Sequence, residues 1–312
     1  AFFFFFFRQY FHLLELDPKF RIAGEGEQAL LKNEVLEELF ERKYNEGDPS
    51  FLQVVNHYGD EESDQPLHQL VLGLYGFSRS HPWPDRWLED LTVPFRLAPK
   101  TSIEDTPWSA LLRESLLLEL EQARHTLEYL AEQAGFYGLE ECYGSTLEED
   151  RRQVEKLQQA ADDCWSRLSD ALTGFSFGKM ASAPKGTDEE VKKFFRDERK
   201  KALDKIKAFQ SRLFQRPAES FLEDLRQVAP LVAGLSELTI EFADAFAKAK
   251  RAKGLIDFND LEHFCLQILR GQSQSPDMNC PSEAALALRD KYREIMVDEY
   301  QDTNGVQEAI LQ

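Results

Sequence analysis

The sequence predicts a mainly α fold, an elongated helical body over residues 1–253 followed by a short α/β segment over 254–312. Three observations predict it. Apolar residues recur at helical steps along most of the chain, most tightly at Phe221, Leu225, Val228, Val232, Leu235, Leu238, Phe242 and Phe246, spaced by threes and fours. Only Ile295-Met296-Val297 reads as a convincing strand. The texture changes at Gly254, where long amphipathic helices give way to short elements.

The elements follow in order. A helix opens near Glu25, with Leu31, Val35 and Leu39 at i, i+4 steps, and Asn45-Glu46-Gly47-Asp48-Pro49 stops it. Shorter helices follow over 51–58 and 67–77. The prolines of Ser80-His81-Pro82-Trp83-Pro84 then break regular structure, and the tryptophans seal a loop onto the core. Three long helices are expected over 106–134, 146–172 and 187–214. In the seam helix after them, Pro230 predicts a kink or split near Ala229. From Leu255 a helix runs to about Arg270, then a polar loop over 272–279 and a helix from Pro281 to Tyr292.

Composition bounds the function. Lys+Arg 37 against Asp+Glu 56 gives a net charge of −19, which excludes an all-over basic nucleic-acid binder but not a local basic face. No apolar run approaches the ~18–20 residues of a membrane span, so no membrane partner is expected. Four cysteines without a CxxC pair suit a reducing, cytoplasmic compartment. The run Phe2–Phe7 lacks the basic region and cleavage site of a signal peptide. It is either buried as a strand or does not report the natural sequence; the second reading is favoured, and no function is read from it.

The chemistry concentrates in Val297-Asp298-Glu299-Tyr300-Gln301-Asp302-Thr303-Asn304. Two carboxylates at the end of an apolar strand stand where ligands sit in open α/β sheets. An aspartate there can hold Mg²⁺ against nucleotide phosphates, and a neighbouring glutamate can polarise the attacking water. The bland alternative is a strand ending in solvated acids, followed by a helix N-cap from Thr303 or Asn304.

This string resembles motif II, the Walker B element, of superfamily 1 DNA helicases of the UvrD/Rep type. Ile256-Asp257-Phe258-Asn259-Asp260-Leu261 is similar to the Asp-Phe-x-Asp-Leu segment those helicases carry a short distance upstream. Leu16–Ala23, Phe77-Ser78-Arg79-Ser80-His81-Pro82 with Trp87-Leu88, and Asp260-Leu261-Glu262-His263 narrow the resemblance to AddA-type helicase/nuclease subunits.

The resemblance implies that residues 1–253 form the helical 1B insertion and 254–312 a small part of a RecA-like (P-loop) α/β domain. It implies ATP and Mg²⁺ as cofactors, with Asp298 holding Mg²⁺ through water and Glu299 as catalytic base. Gln301 would lie near the γ-phosphate, and Asp302 would support it. It further implies processing of double-strand DNA ends for recombinational repair, with 3′-to-5′ translocation on single-stranded DNA and a second, AddB-like subunit. The alternatives are a UvrD/PcrA-like repair helicase without nuclease and a non-catalytic helical scaffold.

A phosphate-cradling Gly-x-x-x-x-Gly-Lys-Ser/Thr loop is not found in the sequence. The nearest match, Gly174 to Met180, is one residue short and ends in Met, so this stretch alone is not expected to hydrolyse ATP. The histidines are scattered, and His263 and Cys265 at i, i+2 face different ways on a helix, so no transition-metal centre is predicted.

One helix is locally basic: Lys192, Lys193, Arg196, Arg199, Lys200, Lys201, Lys205 and Lys207. Two readings stand. It is a solvated face paired with Asp197, Glu198 and Asp204. Or Lys192, Lys193, Arg196, Arg199 and Lys200 contact the DNA backbone, where cations gain affinity by releasing counterions.

Overall fold

A computed structural model describes Tyr10, Leu14 and residues 20–60, 63–271 and 280–312. The phenylalanine run, Leu16–Lys19 and the expected polar loop 272–279 lie outside the described residues. The chain divides into two compact units, Ala1–Arg96 with Gln227–Gln312, and Leu97–Arg226. These boundaries lie away from Gly254, where the sequence changes texture.

In the first unit, β1 (Arg21–Ile22) pairs in parallel with β2 (Leu255–Ile256), Arg21 opposite Leu255 and Ile22 opposite Ile256. Four helices follow β1: α1 (Glu25–Glu46), α2 (Pro49–Tyr58), α3 (Gln65–Ser78) and α4 (Pro84–Asp90). Asp48 starts α2 by accepting the amides of Ser50 and Phe51, which satisfies donors that the helix itself leaves open. The core joins Leu36, Phe40, Val54, Leu67 and Val71 to Leu238, Phe242 and Phe246 of the seam helix. Tyr75 sits edge-on to the stacked rings of Phe242 and Phe246, at 5.2 and 5.8 Å. The hydroxyl of Ser236 donates to the Leu88 carbonyl at 2.7 Å, tying the end of α4 to the same helix.

The second unit contains α5 (Pro107–Phe136), α6 (Glu140–Asp163), α7 (Trp165–Thr173) and α8 (Glu189–Leu213) around Leu120, Leu127, Leu147, Leu168, Phe195 and Ile206. The helix expected over 146–172 is two helices, broken at Cys164 in an extended conformation. The break lets Trp165 stack on Phe214 at 4.7 Å while its amide donates to Glu104. These are tertiary gains that apolar spacing does not announce.

The seam helix, α9, runs continuously over Ala218–Ala252, with Pro230 inside it. The expected split is absent. Pro230 is exposed, so water can replace the backbone bond its ring removes. After β2 come α10 (Phe258–Leu269), α11 (Glu283–Lys291) and α12 (Gly305–Leu311).

Gly234 lets α9 approach α2 closely: a Cβ there would stand 2.7 Å from Val54 Cγ2 and 3.0 Å from Ser50 Oγ. Gly234→Ala is therefore expected to destabilise the chain by about 1–3 kcal/mol, the usual cost of overpacking, as read from its urea midpoint.

Candidate functional site

The site is built on the turn out of α9. Lys250 is buried, at 4% exposure, four residues after the buried Phe246. Its ammonium donates to Asp257 Oδ2 at 2.7 Å and Asp260 Oδ2 at 2.5 Å, and lies 4.7 Å over the Phe246 ring. The two aspartates also form a reciprocal cap on α10: Asp260 N–H donates to Asp257 Oδ1 at 2.8 Å, and Asp257 N–H donates to Asp260 Oδ2 at 3.0 Å. Arg79 Nη2 stands 3.7 Å from Asp260 Oδ1.

Three charges with this little water must be paired. Desolvation pushes the Asp257 carboxyl up, but Lys250 and the hydrogen bonds to it outweigh burial and hold it below the usual carboxylate range. His263, a turn further along α10, contacts the Arg79 carbonyl through Nε2 at 3.0 Å; a carbonyl only accepts, so Nε2 carries the proton. Burial, with Arg79 beside it, lowers the imidazole to about 4.

The segment with two carboxylates lies downstream. Ile295-Met296-Val297 is not a strand: the three residues are 67%, 92% and 41% exposed and make no ladder. A strand needs a neighbour for its backbone groups, and none of the described residues supplies one. An open groove of about 1230 Å³ lies here, lined by Leu266, Leu269, Leu288, Ile310, Val297 and Asp298, among others.

Asp298 and Glu299 are exposed. Glu299 is left-handed at φ 53°, with its amide donating to Asp298 Oδ1 at 3.0 Å. Gln301 and Asp302, also exposed, belong to a single 3₁₀ turn over Tyr300–Asp302. Asn304 then caps α12 by accepting the Gln307 amide at 2.9 Å, as the bland reading of the sequence allows.

Among the described residues no three metal-binding side chains cluster. The donors present suit Mg²⁺, a hard cation that takes one or two carboxylates and completes its shell with water and phosphate oxygens. Asp298 contributes one such carboxylate, exposed at its turn.

The basic residues of α8 separate into two sets. Arg199 turns inward: it donates to Asp150 at 2.6 and 3.0 Å and to the Gly178 carbonyl at 2.6 Å, with its guanidinium 5.3 Å from the Phe177 ring centre. Lys192 pairs with Glu189 at 2.8 Å, Lys201 with Glu198 at 2.6 Å and Lys205 with Glu119 at 2.8 Å. Lys193, Arg196, Lys200 and Lys207 are exposed at i, i+3, i+7 and i+14, and among the described residues Arg196 pairs with its neighbour Asp197, at 3.5 Å.

The model of the UvrD/REP helicase N-terminal domain matches residues 1–312. The chain belongs to the UvrD/REP helicase family. Its relatives include the A-subunit of the ATP-dependent helicase/nuclease of Heliobacterium modesticaldum, 38% identical over 97% of this chain and 23% of the relative. The corresponding A-subunits of Geobacillus kaustophilus and Pelotomaculum thermopropionicum are each 40% identical over 98% of this chain, and 25% and 24% of their own lengths. The chain thus spans about a quarter of the length of these curated relatives. For this UvrD/REP domain, the Asp-Phe-Asn-Asp-Leu segment is the buried charge cluster at the start of α10.

Arg79 and Glu262 lie inside segments matched for the resemblance without a role of their own there, and Lys250 lies outside every motif. Lys250 did carry a signal, since Phe242, Phe246 and Lys250 follow at i+4 steps and put a charge on the apolar seam.

Two outcomes are expected. Lys250→Met leaves two buried carboxylates facing each other and costs about 3–5 kcal/mol of unfolding free energy in urea titrations. The sign of the His263 contribution follows from its lowered value: its stability is present above the ordinary 6.5 and lost as pH falls through about 4. Unfolding free energy should fall across that window by an amount on the order of 3 kcal/mol, and His263→Gln should flatten the slope.

Proposed function

We propose that the chain is part of an ATP-dependent helicase/nuclease subunit that processes double-strand DNA ends for recombinational repair in the cytoplasm. In this reading residues 254–312 belong to a RecA-like ATPase domain, and the helices before them carry the 1B arm. The parent protein uses ATP and Mg²⁺, moves 3′-to-5′ along single-stranded DNA and works with an AddB-like partner subunit. One observation carries the reading: the string Asp298 to Asn304 lies in the same folded unit as the Asp257–Leu261 segment and docks on its helix.

Each side chain then has a role. Glu299 accepts the proton of the water that attacks the γ-phosphorus as the bond to the bridging oxygen breaks. Asp298 holds Mg²⁺, which when bound offsets charge on the phosphate oxygens. Gln301 lies toward the γ-phosphate, and Asp302 steadies the turn beneath it. The exposed position of all four supports a site completed by the rest of the enzyme.

The DNA contact is proposed for α8, through Lys193, Arg196 and Lys200 with Lys192 at the margin. Arg199 holds the helix in place by its bonds to Asp150.

The experiment is DNA-stimulated ATP turnover by the full-length protein. Glu299→Gln should abolish turnover and leave nucleotide and DNA binding intact; turnover at the wild-type rate would refute the reading. Lys193→Glu, Arg196→Glu and Lys200→Glu combined should weaken duplex binding and reduce the salt slope by about 2–3, since each phosphate contact contributes roughly 0.9. Unchanged affinity would remove α8 from the interface.

A further inference from the structure

Glu262, on α10, is a carboxylate fully engaged by one short piece of chain. Asn304 Nδ2 donates to its Oε2 at 2.9 Å, and Gln307 Nε2 donates to its Oε1 at 2.7 Å. An ionised carboxylate only accepts, so two amide donors match it without conflict. Asn304 is at the same time the cap of α12. The start of α12 is also held through its backbone: the Val306 amide donates to the Ser80 carbonyl at 3.3 Å, and a Cβ on Gly305 would come within 3.0 Å of that oxygen. Ser80 follows Arg79, whose carbonyl is bonded to His263 of α10. Two converging attachments therefore fix where α12 begins.

Between this anchor and Glu299 there is a single tight turn. The Asp302 amide donates to the Glu299 carbonyl at 2.9 Å, and the Thr303 amide and hydroxyl donate to the Tyr300 carbonyl at 3.1 and 2.7 Å. Glu299 is the one non-glycine residue with positive φ among the described residues. A strained backbone of this kind persists only where its surroundings over-determine it.

We propose that Glu262 is a positioning residue for ATP hydrolysis: by clamping Asn304 and Gln307 it fixes the exit of the turn that presents Asp298 and Glu299. This rests on the reading of Glu299 as the base that activates water. Glu262 acts through the turn, by way of Asn304 and Gln307.

The test uses DNA-stimulated ATP turnover of the full-length protein with four variants. Glu262→Ala should lower kcat about tenfold or more, because small misplacements of reacting groups are costly. The KM for ATP and the affinity for single-stranded DNA should stay within about twofold, since no ground-state contact is removed. Glu262→Gln sets one amide NH₂ against another and should also be impaired. Combining Glu262→Gln with Gln307→Glu restores a donor–acceptor pair and leaves Asn304 an oxygen to bond, so kcat should recover most of its loss. A wild-type kcat in Glu262→Ala, or a double variant no better than Glu262→Gln, overturns the positioning role. Glu299→Gln separates the two levels. If it is inactive while Glu262→Ala is unimpaired, only the positioning role fails; if it turns over normally, the hydrolytic reading fails and the positioning role with it.

Discussion

A buried ammonium with two carboxylates fixes the first unit. The buried Lys250 ammonium needs anionic partners, and the neighbouring Asp257 and Asp260 carboxylates need a cation between them. Meeting both needs at once fixes the turn after α9. That turn places Leu255 and Ile256 beside Arg21 and Ile22 and starts α10 with a reciprocal cap. From α10, His263 reaches the loop after α3, and Glu262 reaches the start of α12. The carboxylates of the proposed ATPase motif thus hang from a frame of buried and half-buried polar bonds that they do not themselves join.

The second unit resolves a conflict of charge differently. In a chain of net charge −19, a helix crowded with lysine and arginine has acidic neighbours to satisfy. Arg199 turns inside, where burial holds Asp150 above the usual carboxylate range although the guanidinium offsets part of that rise. Lys192, Lys201 and Lys205 meet glutamates on the flanks. What remains outward is a narrow stripe, Lys193, Arg196, Lys200 and Lys207. A stripe of that spacing suits a regular array of phosphates better than the full set of eight cations does, because binding there disturbs only the loose contact of Arg196 with Asp197.

Most helices were legible in the sequence because amphipathic spacing and stop signals are local properties. Leu31, Val35 and Leu39 with the Gly47-Asp48-Pro49 stop define α1 closely. The break at Cys164 was not legible, since its cause is a stacking partner, Phe214, fifty residues away. Nor was the continuity of α9 through Pro230, which depends on the proline facing solvent. The strand at Ile295–Val297 failed for a related reason: three apolar residues state a preference, but a strand exists only in a pair. At the site, Asp298 and Glu299 were readable as a motif. Glu262 and Ser80 fall in matched segments too, but their hold on the turn was not readable, because one is an ordinary helical glutamate and the other contributes only a carbonyl.

The proposal that residues 254–312 complete a RecA-like sheet is tested most directly by hydrogen exchange at the amides of Ile295, Met296 and Val297, compared between this chain and the full-length protein. Rapid exchange is predicted in this chain, where the three residues are exposed. Strong protection is predicted in the full-length protein, where a neighbouring strand takes up their backbone groups. Rapid exchange in both would contradict the proposal.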